Sequence, residues 1–173
     1  ISNFGVLHDG NDINLNGSIA NVYDYSFNNG VLEGKLNLIS KNFDANKYMA
    51  VDGKDTQTTG TILVPDNINV LVNAKLNKVK YTNLEFTNLS GDMNIANHEI
   101  TMNGVKTDLL GGRVSFDGFY RTTSPEPEYS IKLDLAKLKM QEAYQKFVTM
   151  QALAPVSKFI NGVFNTTLIM EGK

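Results

Sequence analysis

The stretch Ile68-Asn69-Val70-Leu71-Val72-Asn73-Ala74-Lys75-Leu76 decides the fold. Its even positions are all apolar and its odd positions mostly polar. A strand turns successive side chains to opposite faces, so this pattern predicts a sheet with one covered and one solvated face. Val114, Phe116, Gly118 and Tyr120 repeat the alternation, as do Tyr129, Ile131, Leu133 and Leu135. Weaker copies are Ile13-Asn14-Leu15, Val31–Leu38, Thr61–Val64, Leu84-Glu85-Phe86, Met93-Asn94-Ile95, Ile100-Thr101-Met102 and Val163–Met170. Together they predict about ten short strands. Asparagine makes up about one residue in eight. It precedes glycine at Asn16-Gly17, Asn29-Gly30, Asn103-Gly104 and Asn161-Gly162. Such pairs tolerate positive φ and favour tight hairpins, so the expected fold is mainly β, a curved antiparallel meander forming a β-groove or half-barrel.

One segment departs from the two-residue period. Between Met140 and Leu153, apolar residues fall at Met140, Ala143, Tyr144, Phe147, Met150 and Leu153. These spacings of three and four place one stripe on an amphipathic helix near the C-terminus. Pro155 ends or kinks that helix. A helical turn over Val156–Ile160 is expected to follow, and Asn42–Ala50 is expected to hold another short helical or irregular turn. A faint repeat links Lys35-Leu36-Asn37-Leu38 with Lys132-Leu133-Asp134-Leu135, each a strand leading into a helical element, and Lys75-Leu76-Asn77-Lys78-Val79 echoes it in part.

With 173 residues the chain is expected to be one domain, or one slice of a larger one, large enough to bury a core. Hydrophobic residues at 42% and charged residues at 20% exclude a disordered tail and a helical membrane bundle. Sixteen basic and eighteen acidic residues give a net charge of −2, which argues against a nucleic-acid partner. No cysteine is present, so thiol catalysis, disulfide scaffolds and iron–sulfur clusters are excluded, although this assigns no compartment. The longest apolar run, Tyr48–Val51, is too short to span a bilayer. The chain begins at Ile1 and ends at Met170-Glu171-Gly172-Lys173, directly after a strand-like run. It is read as an excised piece of a longer protein.

A search for chemistry returns no catalytic set. The two histidines, His8 in Leu7-His8-Asp9-Gly10 and His98 in Ala96-Asn97-His98-Glu99, read as exposed turn residues rather than bases. Asp9-Gly10-Asn11-Asp12-Ile13-Asn14 begins like a calcium loop, but glycine falls at the second position and the closing carboxylate is missing. Asp52-Gly53-Lys54-Asp55 reads as a charged loop. Leu110-Gly111-Gly112-Arg113 precedes a strand and lacks phosphate-loop spacing, so it is expected to be a strand-entry bulge. Asn16-Gly17-Ser18, Asn88-Leu89-Ser90 and Asn165-Thr166-Thr167 match the glycosylation triplet, as an Asn-rich chain does by chance. A glycosidase needs two carboxylates about 5–10 Å apart across a cleft. Here Asp and Glu fall in turns or on polar faces. The expectation is no enzyme, no metal and no cofactor.

What remains is surface. A helix over Met140–Leu153 would be about 21 Å long and cannot cover ten strands. The sheet must curl on itself, pair with another module, or leave an apolar trough, and an exposed apolar trough marks a binding site.

A set of phrases over residues 31–173 carries a family resemblance. They are Val31-Leu32-Glu33-Gly34-Lys35-Leu36-Asn37-Leu38 with Ser40-Lys41-Asn42-Phe43-Asp44, then Val64-Pro65-Asp66-Asn67-Ile68 and Ala74-Lys75-Leu76-Asn77-Lys78-Val79-Lys80-Tyr81. Next come Met102-Asn103-Gly104 through Leu110-Gly111-Gly112-Arg113-Val114-Ser115-Phe116-Asp117-Gly118-Phe119-Tyr120, and the helix exit Leu153-Ala154-Pro155-Val156. In combination they resemble the C-terminal region of AsmA-like proteins of Bacteroidetes-type bacteria. The resemblance implies a periplasmic location, as part of a parent protein held by an N-terminal inner-membrane helix. The family is similar to the TamB and chorein-like bridge proteins, whose repeated β-groove modules form a long apolar channel. It therefore implies outer-membrane biogenesis and phospholipid movement between the inner and outer membranes, with no catalytic residues to carry over.

On this reading the partners are phospholipid acyl chains, possible contacts with other envelope proteins, and no nucleic acid. The expected lipid-contacting residues are Val70, Val72, Leu76, Phe116, Ile131 and Leu133 on strands, with Tyr144, Phe147 and Met150 on the helix. If Val72 and Ile131 face the groove, replacing either by Asp should block lipid loading without unfolding the sheet. The rival reading is a closed structural β-domain that binds another envelope protein, with the apolar face sealed by the helix.

Overall fold

A computed structural model describes residues 4–8, 10–49 and 63–173. The side chains of Val6, His8, Tyr48, Met49, Thr149 and Leu153 are outside that description, as are the Asp52–Asp55 loop, Thr61 and Ile62. Among the described residues, ten strands form one open, curved sheet in the order β1-β2-β3-β5-β6-β7-β8-β9-β10, with β4 beside β5. The strands are β1 Phe4–His8, β2 Asn11–Ala20, β3 Leu32–Ser40, β4 Phe43–Asp44 and β5 Ile68–Tyr81. They continue as β6 Leu84–Ala96, β7 Glu99–Leu109, β8 Gly112–Arg121, β9 Glu128–Lys139 and β10 Val163–Gly172. Four short helices accompany them among the described residues: α1 Val22–Phe27, α2 Asn46–Met49, α3 Met140–Lys146 and α4 Val148–Leu153, with a 3-10 turn at Pro155–Phe159.

From β5 to β10 every neighbour is antiparallel, as the alternating pattern predicts. The seam between β3 and β5 is parallel, with Leu32 beside Ile68 and Leu36 beside Val72. A parallel neighbour requires a crossover rather than a hairpin, and residues 41–67 make it. Val64, expected at the end of a strand, is buried in this connection instead, where its N–H donates to Thr122 Oγ1.

The hairpin turns also differ from expectation. None of the four Asn-Gly pairs closes one: Asn16-Gly17 lies inside β2, Asn103-Gly104 inside β7, Asn29-Gly30 after α1 and Asn161-Gly162 before β10. Tight turns include Thr82-Asn83, where Thr82 has φ 52°, Asn97-His98, with φ of 52° and 62°, and Leu110-Gly111, with φ of 49° and 72°. Paired positive φ values match the twist of the flanking strands. The Leu110-Gly111-Gly112 stretch is thus the β7–β8 turn rather than a bulge.

The expected C-terminal helix is present in two pieces. Phe147 is extended, at φ −104° and ψ 109°, and separates α3 from α4. Its ring packs against the buried cluster of Leu109, Val114 and Leu138. Full burial of an aromatic ring contributes about 1.5–3 kcal/mol; the half-buried Phe147 ring gains part of this, comparable with the roughly 1 kcal/mol of an interrupted helical hydrogen bond. Pro155 opens the 3-10 turn, as its fixed φ favours.

Asparagine serves mainly the solvated face. Register places Asn16, Asn37, Asn73, Asp92 and Asn103 side by side across five strands. Asn37 Nδ2 donates to Asn16 Oδ1 at 3.0 Å, and Asn73 Nδ2 donates to Asp92 Oδ1 at 2.7 Å. At the start of β2, the Asp12 carboxylate accepts the backbone N–H groups of Asn42 and Lys41 and the Ser40 hydroxyl. These bonds hold its carboxyl below the usual aspartate range, the Asn42 N–H foremost. They tie the β3–β4 corner to β2.

Candidate functional site

Cross-strand register builds the opposite, concave face. Residues directly opposite each other share a face, so one row crosses the sheet as Leu36, Val72, Met93, Met102, Gly118, Ile131 and Met170. A second row includes Val105, Phe116, Leu133 and Leu168, and a third Thr107, Val114, Leu135 and Thr166. Strict alternation would carry these rows only part of the way along each strand. Four strands instead change parity: β5 does so between Leu76 and Val79, opposite the change in β6, and the other three do so at a residue of positive φ. In β6 the change falls at Asn88, φ 54°, whose Nδ2 donates to Asp108 Oδ2. In β7 it falls at Gly104, φ 58°, whose N–H donates to Asp117 Oδ1. In β9 it falls at Lys137, φ 57°, whose N–H donates to Asn165 Oδ1. Each gives one strand an extra residue relative to a neighbour, and such bulges bend a sheet and increase its twist. They also keep Phe86, Leu109 and Leu138 facing the same side as Met93, Met102 and Leu135.

The result is a trough of about 620 Å³ over β6–β10. Leu84, Phe86, Phe116, Leu133, Leu138 and Phe164 are among the residues that line it, and Phe147, Met150 and Ala154 close one end. Its lining is aliphatic, aromatic and thioether apart from Thr107 and Thr166. The Thr107 hydroxyl is already spent on Thr87 O at 2.9 Å. From Ile131 to Leu138 on β9 the length is roughly 20 Å at about 3.3 Å per residue. Along the β10 side, Leu168 and Met170 remain open to solvent.

The structure divides the expected contact residues. Phe116, Ile131, Leu133, Phe147 and Met150 all line the trough. Val70, Val72 and Leu76 face the same side from β5 but are buried outside the trough. Tyr144 is half-buried on α3 and is also outside the lining. Sequence reading missed Leu84, Phe86, Met102, Leu109 and Leu138 as lining residues, because the parity changes hide them, and also missed Phe164, which keeps the parity of Leu168 and Met170 on β10.

Gly118 lies in the first cross-strand row, between Met102 and Ile131. A Cβ there would sit 2.4 Å from Ser130 O and 3.0 Å from Ile131 Cα. Both are backbone atoms of β9, so the strand itself must shift. Gly118→Ala is expected to destabilise the chain by about 1–3 kcal/mol, read as a lowered urea midpoint at unchanged slope.

Polar groups cluster away from the trough. His98 sits in the β6–β7 turn, its Nδ1 3.0 Å from Val64 O. Glu99 pairs with Arg121, which also approaches Glu128 at 3.7 Å. The Thr101 hydroxyl, followed by Arg121, holds the Glu99 carboxyl below its usual range. Among the described residues, no group of three or more His, Cys, Asp or Glu is placed to hold a metal ion, and no helix is long and apolar enough to cross a membrane. Compared with known proteins, the chain matches no family model, no curated protein and no solved structure.

Proposed function

We propose that the trough holds the acyl chains of phospholipids, and that the chain is a periplasmic segment of an AsmA-like envelope protein that moves lipid between the inner and outer membranes. The observation that carries this reading is the trough itself: about 620 Å³, lined almost entirely by apolar side chains and open along β10. Its volume falls within the range of small-molecule sites, about 300–1,000 Å³. Its length of roughly 20 Å exceeds one leaflet's share of the hydrocarbon core, about 15 Å. Each methylene moved from water into it gains about 0.8 kcal/mol without any head-group contact. A floor whose only hydrogen-bonding side chains are Thr107 and Thr166 offers few fixed stops, so a chain can slide. The AsmA-like phrases of residues 31–173 support the same assignment, and membrane attachment would belong to a longer parent protein.

Native mass spectrometry with lipid extraction tests the reading on the full chain purified gently from bacteria. Near one phospholipid per chain is expected. Displacement by a fluorescent fatty acid should weaken at least about tenfold in Phe116→Asp, the equivalent of 1.4 kcal/mol. A folded chain that carries no lipid and takes up no fatty acid would overturn the proposal in favour of a structural β-domain.

A further inference from the structure

The cap formed by α3, α4 and the 3-10 turn has two unlike sides. Inward, Ala143 is fully buried, and Phe147, Met150 and Ala154 line the trough. Outward, Val148 is 76% exposed, Val156 62% and Phe159 74%, with Ile160 beside them. Scattered exposed apolar residues are ordinary, but here they share one short cap. Charge separates this group from the other exposed apolar cluster. Residues 139–160 carry Lys139, Lys146 and Lys158 against Glu142, a local charge of +2 on a chain whose net charge is −2. The α1 cluster of Val22, Tyr23 and Phe27 holds Asp24 and no cation. Lys158 Nζ lies 4.7 Å from the centroid of the Phe159 ring, so the ammonium stands beside the apolar tip. Large apolar side chains flanked by lysines match the boundary between acyl chains and anionic head groups.

We propose that the outer side of this cap docks on an anionic lipid bilayer, with Val148, Val156 and Phe159 entering the head-group boundary and Lys158 meeting lipid phosphate. The inference rests on the acyl-chain reading of the trough. Its added content is orientation: docking the cap turns the Phe147–Met150–Ala154 end of the trough toward the membrane.

The chain contains no tryptophan, so Phe159→Trp supplies a fluorescence reporter without background. Its emission should shift to the blue with vesicles of equimolar phosphatidylcholine and phosphatidylglycerol, and stay unchanged with phosphatidylcholine alone. Adding Val156→Asp and Lys158→Glu to the reporter should weaken the response about tenfold or more, a loss of 1.4 kcal/mol. Flotation of the wild-type chain with the same vesicles checks the result without the reporter. Circular dichroism and fluorescent fatty-acid uptake should be unchanged in the triple variant, since all three positions are outside the trough. No spectral shift and no flotation overturns the docking proposal, as does a shift that survives both substitutions. Fatty-acid uptake that persists without vesicle binding defeats docking alone, whereas vesicle binding without uptake defeats the trough reading. Concentration-dependent self-association abolished by Val156→Asp, without vesicle binding, would assign the surface to a second copy instead.

Discussion

Val72→Asp is expected to unfold the chain, whereas Ile131→Asp should leave it folded and unable to take up fatty acid. The two valine- and isoleucine-bearing strand positions share one cross-sheet row and the same alternating pattern. Their surroundings differ. Val72 is only 7% exposed and lies outside the trough, so a carboxylate there loses its water without gaining a partner. That costs about 4 kcal/mol or more, a large part of the 5–15 kcal/mol typical of a domain. Ile131 lines the trough, where solvent reaches an introduced carboxylate. A charge in the middle of the floor removes the apolar continuity that an acyl chain requires. Urea unfolding and fatty-acid titration of the two variants separate the effects. Equal unfolding of both would make the trough part of a sealed core. Normal stability and full uptake in both would remove the floor from the binding site.

Leu138→Ala should give the largest loss of stability from a change that introduces no charge. Leu138 is 0% exposed and joins Leu109 and Val114 in the buried cluster beneath Phe147. Removing its isobutyl branch leaves a cavity under both the sheet and the cap. The expected cost is about 2–5 kcal/mol, or a fall in the thermal midpoint of roughly 4–20 °C for a chain of this size. Differential scanning calorimetry measures it. A change under about 1 kcal/mol would mean that Phe147 and Phe164 close the gap by moving inward.

The sheet was legible where alternation keeps one parity. The first half of β5, β8 and β9 up to Leu135 all follow the two-residue period, and they yield Phe116, Ile131 and Leu133 as trough residues. The period reports a face, however, and not what covers that face. Val70, Val72 and Leu76 therefore read like Ile131 although they are buried elsewhere. Leu84-Glu85-Phe86 and Met93-Asn94-Ile95 read as two strands because Asn88 reverses their parity within β6. The same reversal at Lys137 hides Leu138, and that at Gly104 separates Met102 from Val105. Asn-Gly signalled positive φ at all four pairs, at Gly17, Asn29, Gly104 and Gly162, but φ alone does not distinguish a turn from a bulge. The helical stripe gave no sign of the break at Phe147, which is caused by a distant cluster on the sheet. The parallel seam leaves no periodic trace either, since its connection is a crossover between two alternating runs.

That seam also orders the folding reaction. From β5 to β9 consecutive strands meet across short turns, with Tyr81 opposite Leu84, Ala96 opposite Glu99 and Leu109 opposite Gly112. Each such pairing closes a small loop at little entropic cost and can form early. Pairing Leu32 with Ile68 must instead wait until the whole intervening crossover has been drawn in. Non-local pairings of this kind slow folding. Amide protection in pulse-labelled refolding should therefore appear in β6–β8 before β2 and β3. The last of the sheet to assemble would be the N-terminal strands, after the part that forms the trough.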